Sequence, residues 1–374
     1  MLIFERLIPA SGQTAQLRIE NFRRFQRFTM EGLGRINLLV GPNNCGKTTV
    51  LEAIDLLAEH PDPAQLGVNS MLRGAVTQAQ AGQTIAAARL DLRHLFFGHV
   101  ARAGSALVIS GTSSESVQRL RVSISSQPIP APRSEGSSAK LDGMLWLCMQ
   151  HSGIPDDAIE PIRLSASAEW SIADFIVRYN AVQDRFHVPF IPAASSPRSG
   201  ISERLSSVAL NPEEALVLQV LRVIEPRVEG IVAVELPKLP IQVDRGGIFV
   251  KLKGQRKRVP IGSFGEGMWR LLALALALVE ARGSVLLVDE IDIGLHYSAQ
   301  TDMWRMVKQA AEELDVQVFA TTHSRDCIYA LAQLARADVT VGSDLSIQRI
   351  EGEHAVAYTE REIVLAAERG IEVR

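Results

Sequence analysis

Four apolar stretches of strand length stand out from the polar background of this chain: Leu17–Ile19 running on to Phe22, Ile36–Val40, Val285–Val288 and Val316–Ala320. The last three are near-continuous runs of Val, Leu, Ile and Phe, the pattern of strands covered on both faces in a mostly parallel sheet. Each is followed by a helix-like segment (Lys47–Ala58, Ser298–Leu314 and Ser324–Leu334 in turn). This strand–turn–helix repetition predicts an α/β fold with crossover helices. Between residues 60 and 225 the pattern changes. The short alternating segments Ala88–Leu92, Leu120–Ile124 and Arg163–Ala168 predict antiparallel strands with one solvated face. Ser125–Lys140, rich in Ser and Pro, and Pro192–Gly200 read as loops, and Ile201–Ile224 as an amphipathic stretch. No internal repeat or sustained heptad pattern is visible. The expected organisation is an N-terminal part of the core over 1–60, an inserted mixed α/β lobe over 61–225, and a C-terminal part of the core over 226–374.

Composition narrows the picture. The chain has 374 residues, 47% hydrophobic and 22% charged, enough to bury a sizeable core. A formal net charge of −3 supplies no global attraction for nucleic acid, and 5% aromatic residues argue against a single-strand binder built on stacking. Cys45, Cys148 and Cys327 show no CxxC spacing, which predicts neither a disulfide framework nor a structural zinc site. Glu5 and Arg6 interrupt any signal-peptide core, and the longest apolar run, Leu271–Val279, is far short of the ~20 residues of a bilayer span. The expectation is a cytoplasmic protein with no membrane partner.

The segment Gly41-Pro42-Asn43-Asn44-Cys45-Gly46-Lys47-Thr48 fits GxxxxGK[ST], with an apolar strand running in and an amphipathic helix running out. The spacing has a chemical reason. Successive backbone N–H groups form a concave anion nest, to which the helix N-terminus adds its dipole. Gly46 permits close approach to phosphates, Lys47 would reach the β- and γ-phosphates, and the Thr48 hydroxyl would ligate Mg²⁺, with Thr49 completing the ATP-binding stretch. Cys45 sits where a small residue suits a backbone role better than a reactive thiol does.

A buried strand also delivers Asp289 and Glu290 to its carboxyl end, where ligands of open α/β sheets bind. Asp289 would support the metal there, and Glu290 would orient and deprotonate the attacking water. Val316–Ala320 likewise leads into Thr321, Thr322, His323 and Ser324. His323 could sense the γ-phosphate, or it could merely precede a helix that Thr322 or Ser324 caps. Ser263-Phe264-Gly265-Glu266-Gly267 opens a strongly apolar helix over Met268–Ala281 that closes at Arg282-Gly283.

Taken in this order, the segments LRIENFRRF, GPNNCGKTTVLEAI, SFGEGMWRLLALA, LLVDEIDIGLHYS and FATTHSRDCI resemble the ABC-type ATPases of the RecF, SMC and OLD (overcoming lysogenization defect) branch. The likeness is greatest to short standalone OLD-like ATPases. It covers residues 15–58 and 228–335 well, and 60–225 only loosely. The resemblance implies a P-loop NTPase fold with an ABC-type head, ATP and Mg²⁺ as cofactors, and an ATP-bound homodimer. In that dimer Ser263 and Gly265 would face the γ-phosphate held by Lys47 of a second protomer, and Asp292 would lie in the loop that crosses the interface. It further implies a switch or motor in DNA repair or anti-phage defence, with a separately encoded effector. The alternative is a regulatory module that holds nucleotide with negligible turnover.

The chain also departs from that branch. It has no coiled-coil heptads. Roughly 50 residues follow His323, fewer than a typical domain and without an Asp-x-Asp pair, so no Toprim nuclease is expected. The lobe-coupling glutamine is unassigned, with Gln78, Gln80 and Gln83 as candidates. Lys251–Arg258, with five positive charges, could grip DNA but reads better as a solvated hairpin between Ile248–Leu252 and Val259–Ile261, with Gly254 in the turn. One of Arg23 and Arg24 could touch ATP. His296 could serve the catalytic site or the start of a helix.

Overall fold

The computed structural model describes residues 15–59, 61–77, 88–113, 117–127, 144–155, 157–182, 188–193, 201–208, 211–234, 247–337 and 345–368. The chain divides into two compact units. The first comprises Met1–Leu33, Asn44–His187 and Ile350–Val356, and the second Gly34–Asn43, Val188–Arg349 and Ala357–Arg374. Among the described residues no helix is long and apolar enough to cross a membrane.

The second unit is built on five parallel strands in the order Phe190–Ile191, Val285–Val288, Gln317–Thr321, Ile36–Val40 and Leu345–Glu351. The middle three are buried at every residue, as their unbroken apolar runs require of strands covered on both faces. The predicted α/β class and parallel sheet are present. Three long helices accompany the strands: Glu266–Glu280, Tyr297–Glu313 and Arg325–Ala337. Their apolar residues, including Leu271, Leu274, Leu278, Trp304 and Leu331, share one core with Leu38, Val288 and Val318. Trp304 satisfies its indole by donating to the Cys327 carbonyl at 3.1 Å. The amphipathic stretch Ile201–Ile224 supplies two helices, Ile201–Val208 and Glu214–Leu221. A separate antiparallel sheet joins Val228–Ala233, Ile248–Leu252 and Val259–Pro260. Its last connection is the predicted hairpin, with Gly254 at φ 77 and Lys251 paired to Glu229 at 3.1 Å.

In the first unit, Phe25–Glu31, Gln16–Phe22, Ala106–Thr112, Val117–Ser125, Leu145–His151 and Ile162–Leu164 form consecutive antiparallel pairs. Val117–Ser125 alternates exposed and buried residues over most of its length, the one-wet-face pattern expected of this region. The alternation read through Arg163–Ala168 stops at Leu164, because Ser165 starts a turn that puts Ala168 at φ 59. The helix Lys47–Ala58 is buried at 11 of its 12 positions, and that burial includes two carboxylates. Glu52 is paired with Arg23 and Arg73, each at 2.7 Å. Asp55 accepts hydrogen bonds from the Gln65 and Asn69 amides at 2.7 and 3.2 Å.

Burial pushes the Asp55 carboxyl up from 3.8 to about 6, against those two hydrogen bonds and with a smaller push from Glu52. The folded protein therefore holds a proton that the unfolded chain releases, so stability falls as pH rises from about 4 to 6. Above that window the ionised group costs about 3 kcal/mol. Asp55→Asn keeps an acceptor for the two amides and removes the charge. Its stability relative to wild type should be near parity at pH 4 and higher by up to about 3 kcal/mol at pH 8. Urea unfolding across that range checks it, and a pH-independent difference would refute it.

Candidate nucleotide-binding site

The phosphate loop leaves the carboxyl end of Ile36–Val40, and the chain passes from the second unit to the first between Asn43 and Asn44. Its backbone turns through the left-handed region at Gly41 (φ 141), Asn44 (φ 60) and Gly46 (φ 111), positions where glycine and asparagine are tolerated. Gly46 is required twice over. A Cβ there would lie 2.4 Å from Phe25 Cζ and 2.8 Å from Arg24 Cδ. The helix then starts at Lys47 with no side-chain cap and no acidic residue in its first turn, which leaves its positive end suited to an anion. Pro42, Asn43 and Asn44 are exposed, Cys45 and Thr48 half-buried, and Lys47 and Thr49 buried. Lys47 Nζ lies 3.8 Å from Cys45 Sγ. The left-handed loop backbone, the uncapped helix start and the Lys47 ammonium together fit a phosphate group.

The two arginines of the hairpin Gln16–Glu31 are told apart by their surroundings. Arg23 is buried against Glu52, and that burial lowers its guanidinium to about 10. Arg24 is exposed, with its stem against Gly46, so it is the one of the pair beside the loop.

In the second unit the sheet register brings the polar strand ends together. Val288 is level with Ala320 and Ala320 with Leu38, so Asp289, Thr321 and Leu39 form the next row. Gly41, Pro42 and Asn43 follow two residues later at the same edge. Thr321 Oγ1 donates to Asp289 Oδ1 at 2.6 Å and accepts the Glu290 N–H at 2.8 Å. Asp289 is buried, whereas the half-exposed Glu290 carboxylate lies 3.6 Å from His323 Nε2. Glu290 itself adopts φ 50, a backbone conformation that costs a non-glycine residue roughly 1–2 kcal/mol. The helix cap expected of this segment is present, with Ser324 Oγ accepting the Cys327 N–H at 3.2 Å, and His323 lies beside Glu290. Thr322 donates to Asp292 Oδ1 at 2.6 Å. His296 serves the start of a helix, where its Nδ1 accepts the Ser298 N–H at 3.4 Å.

Ser263 lies in a short 3₁₀ turn, Ile261–Phe264, and Gly265 (φ 83) caps the helix Glu266–Glu280. Both are exposed, and no side chain caps the helix. Gly267 packs so closely on the loop after the acidic pair that a Cβ would lie 2.6 Å from the Gly294 carbonyl oxygen.

Asp289, Glu290 and His323 thus converge within the second unit at the edge that holds Gly41–Asn43, while Asn44–Thr49 fold with the first. Gln78, Gln80 and Gln83 fall outside the described residues. Sequence reasoning did not single out Thr321 or Arg270. The second had a signal, since a charge at Arg270 interrupts an otherwise apolar helix.

Residues 15–85 match the family described as "AAA ATPase domain", and residues 166–326 the family described as "AAA domain, putative AbiEii toxin, Type IV TA system". The first match contains the whole phosphate loop, and the second contains Ser263, the acidic pair and His323. The protein is an ATP-hydrolysing enzyme. An ATP/GTP phosphatase of Helicobacter pylori (strain ATCC 700392 / 26695) is 22% identical over 353 residues, spanning 86% of this chain and 88% of its own. Solved structures similar to it include the SMC head domain from Thermotoga maritima (13% identity, 93% and 98% of the two chains, TM-score 0.41). Another is the Pyrococcus furiosus Smc head domain with an extended coiled coil, bound to the C-terminal domain of ScpA (12%, 96% and 99%, TM-score 0.46). At those scores the fold of the ATPase rests on its own strand order and register.

Gly46→Ala should weaken binding of a fluorescent ATP analogue by more than about tenfold, because both the left-handed φ and the contact with Phe25 resist a Cβ. Wild-type affinity in a titration of the folded variant would refute this.

Proposed function

We propose that the ATPase is a nucleotide-driven dimer switch of the ABC type, in the OLD-like branch that its motifs resemble. One observation carries the reading. Glu290 ends a buried strand with its backbone held and its carboxylate half-exposed beside His323, the disposition required of a base that must reach a water molecule.

Lys47 and the loop amides of Gly41–Thr49 bind the triphosphate. Thr48 and Asp289 offer the hard oxygen donors that Mg²⁺ prefers, and the ion, when bound, neutralises charge on the β- and γ-phosphates. Glu290 orients the attacking water and accepts its proton, and His323 responds to the γ-phosphate. Ser263 and Gly265 serve the nucleotide of a second copy of the chain. Their exposure on a helix start with no side-chain cap supports this, as do exposed Ile293 on the loop that Gly267 touches and exposed Tyr297 at the start of the helix after it. ATP then holds two protomers together, and hydrolysis releases them.

The description of the second matched family, which names a putative toxin of a type IV toxin–antitoxin system, supports a setting in defence; a separately encoded effector belongs to the same reading. The basic hairpin over Lys251–Arg258 is a candidate DNA contact.

Glu290→Gln, measured by light scattering, should shift from one chain mass to two on addition of Mg·ATP, because slowed hydrolysis traps the dimer. The same protein carrying Ser263→Arg should bind ATP and stay single. A Glu290→Gln protein that binds ATP at constant mass would overturn the role given to Ser263 and Gly265. A wild-type protein that binds ATP without measurable turnover would favour the regulatory module instead.

A further inference from the structure

Arg270 is only 3% exposed, one helical turn into Glu266–Glu280 from the exposed Gly265. Its guanidinium donates to three backbone carbonyls: Asp289 at 2.6 Å, Glu290 at 3.0 Å and Pro192 at 3.1 Å. The first two belong to the peptide groups on either side of the Glu290 Cα. The opposite edges of those same peptides are held from the neighbouring strand. The Glu290 N–H donates to Thr321 Oγ1 at 2.8 Å, and the Ile291 N–H to the Thr321 carbonyl at 3.0 Å. Both peptide planes are therefore fixed at both edges, and the φ and ψ of Glu290 have no freedom left. That clamp accounts for φ 50 at a residue with a Cβ.

We infer that Arg270 is a positioning residue for ATP hydrolysis: its fork of hydrogen bonds holds Glu290 in the left-handed conformation that aims the carboxylate at the attacking water. The inference rests on Glu290 being the base. It also gives the helix behind Ser263 and Gly265 a direct connection to the chemistry, through Arg270 on the Glu290 peptides and Gly267 on the Gly294 carbonyl. Only arginine suits the position. Three carbonyls shared between two guanidinium nitrogens suit a rigid fork of donors, whereas an ammonium is a point donor on a flexible stem. The carboxylates of Asp289, Asp292 and Glu290 compensate the charge that burial disfavours.

The test uses the full chain with Arg270→Gln, Arg270→Lys and Glu290→Gln, each assayed for ATP turnover and for binding of a fluorescent ATP analogue. Arg270→Gln should lower kcat about tenfold to a hundredfold, the scale of an ångström-level misplacement, with KM and analogue affinity within about twofold of wild type. Arg270→Lys should recover part of the loss, because it can still donate to a carbonyl. A folded Arg270→Gln with wild-type kcat, or one whose loss lies wholly in KM, overturns the inference. Where Arg270→Gln does not fold, Arg270→Lys decides: reduced kcat at unchanged KM supports the role, and wild-type kcat refutes it. Full turnover in Glu290→Gln would sink the assignment of the base and the inference with it. Loss in Glu290→Gln alongside wild-type kcat in both Arg270 variants sinks the inference alone.

Discussion

Parallel pairing of three fully buried strands is the constraint on which the rest of the second unit depends. A strand covered on both faces can carry polar side chains only where it leaves the sheet, and parallel neighbours leave it on the same side. Ile36–Val40, Gln317–Thr321 and Val285–Val288 are held in one register by backbone hydrogen bonds. Their polar continuations, Gly41–Asn43, Thr322–His323 and Asp289–Glu290, therefore meet at one edge whatever their separation along the chain. No side-chain contact is needed to gather them. Side chains do the finer work, as when Thr321 divides its hydroxyl between the Asp289 carboxylate and the Glu290 N–H.

Much of this was legible in the amino-acid sequence because it depends on local pattern. The apolar runs marked the strands to within one residue. Val316–Ala320, for example, is observed as Gln317–Thr321, since Thr321 continues the ladder although it is polar. The loop helix and the hairpin around Gly254 follow from short-range signals of the same kind. What stayed hidden depends on contacts between distant segments. Nothing near Thr321 announces that its hydroxyl serves residues 32 positions away. Arg270 read as an anomaly in an apolar helix, and its meaning required the carbonyls of Asp289, Glu290 and Pro192. Likewise Arg23 and Arg24 are equivalent on paper. Only the buried Glu52 separates an ion-paired structural arginine from the exposed one beside Gly46.

Several departures from ordinary local chemistry fall on the motifs. Gly46 occupies a conformation and a space that admit no side chain. Lys47 is a buried ammonium at a helix start that lacks a cap, and the helix beginning at Glu266 is uncapped too. Glu290 holds a left-handed backbone, and Arg270 carries charge into a core. Leu271 to Leu278, on the same helix as Arg270, is uninterrupted apolar core. Left-handed backbone and buried charge occur elsewhere too, at Ala168 and Asp55 for example, but the instances at Gly46, Lys47, Glu290 and Arg270 coincide with the motifs of the proposed site. In this ATPase they fall on the groups that would meet phosphate and water, which ties the function to the energetics of the chain as well as to the spelling of its motifs.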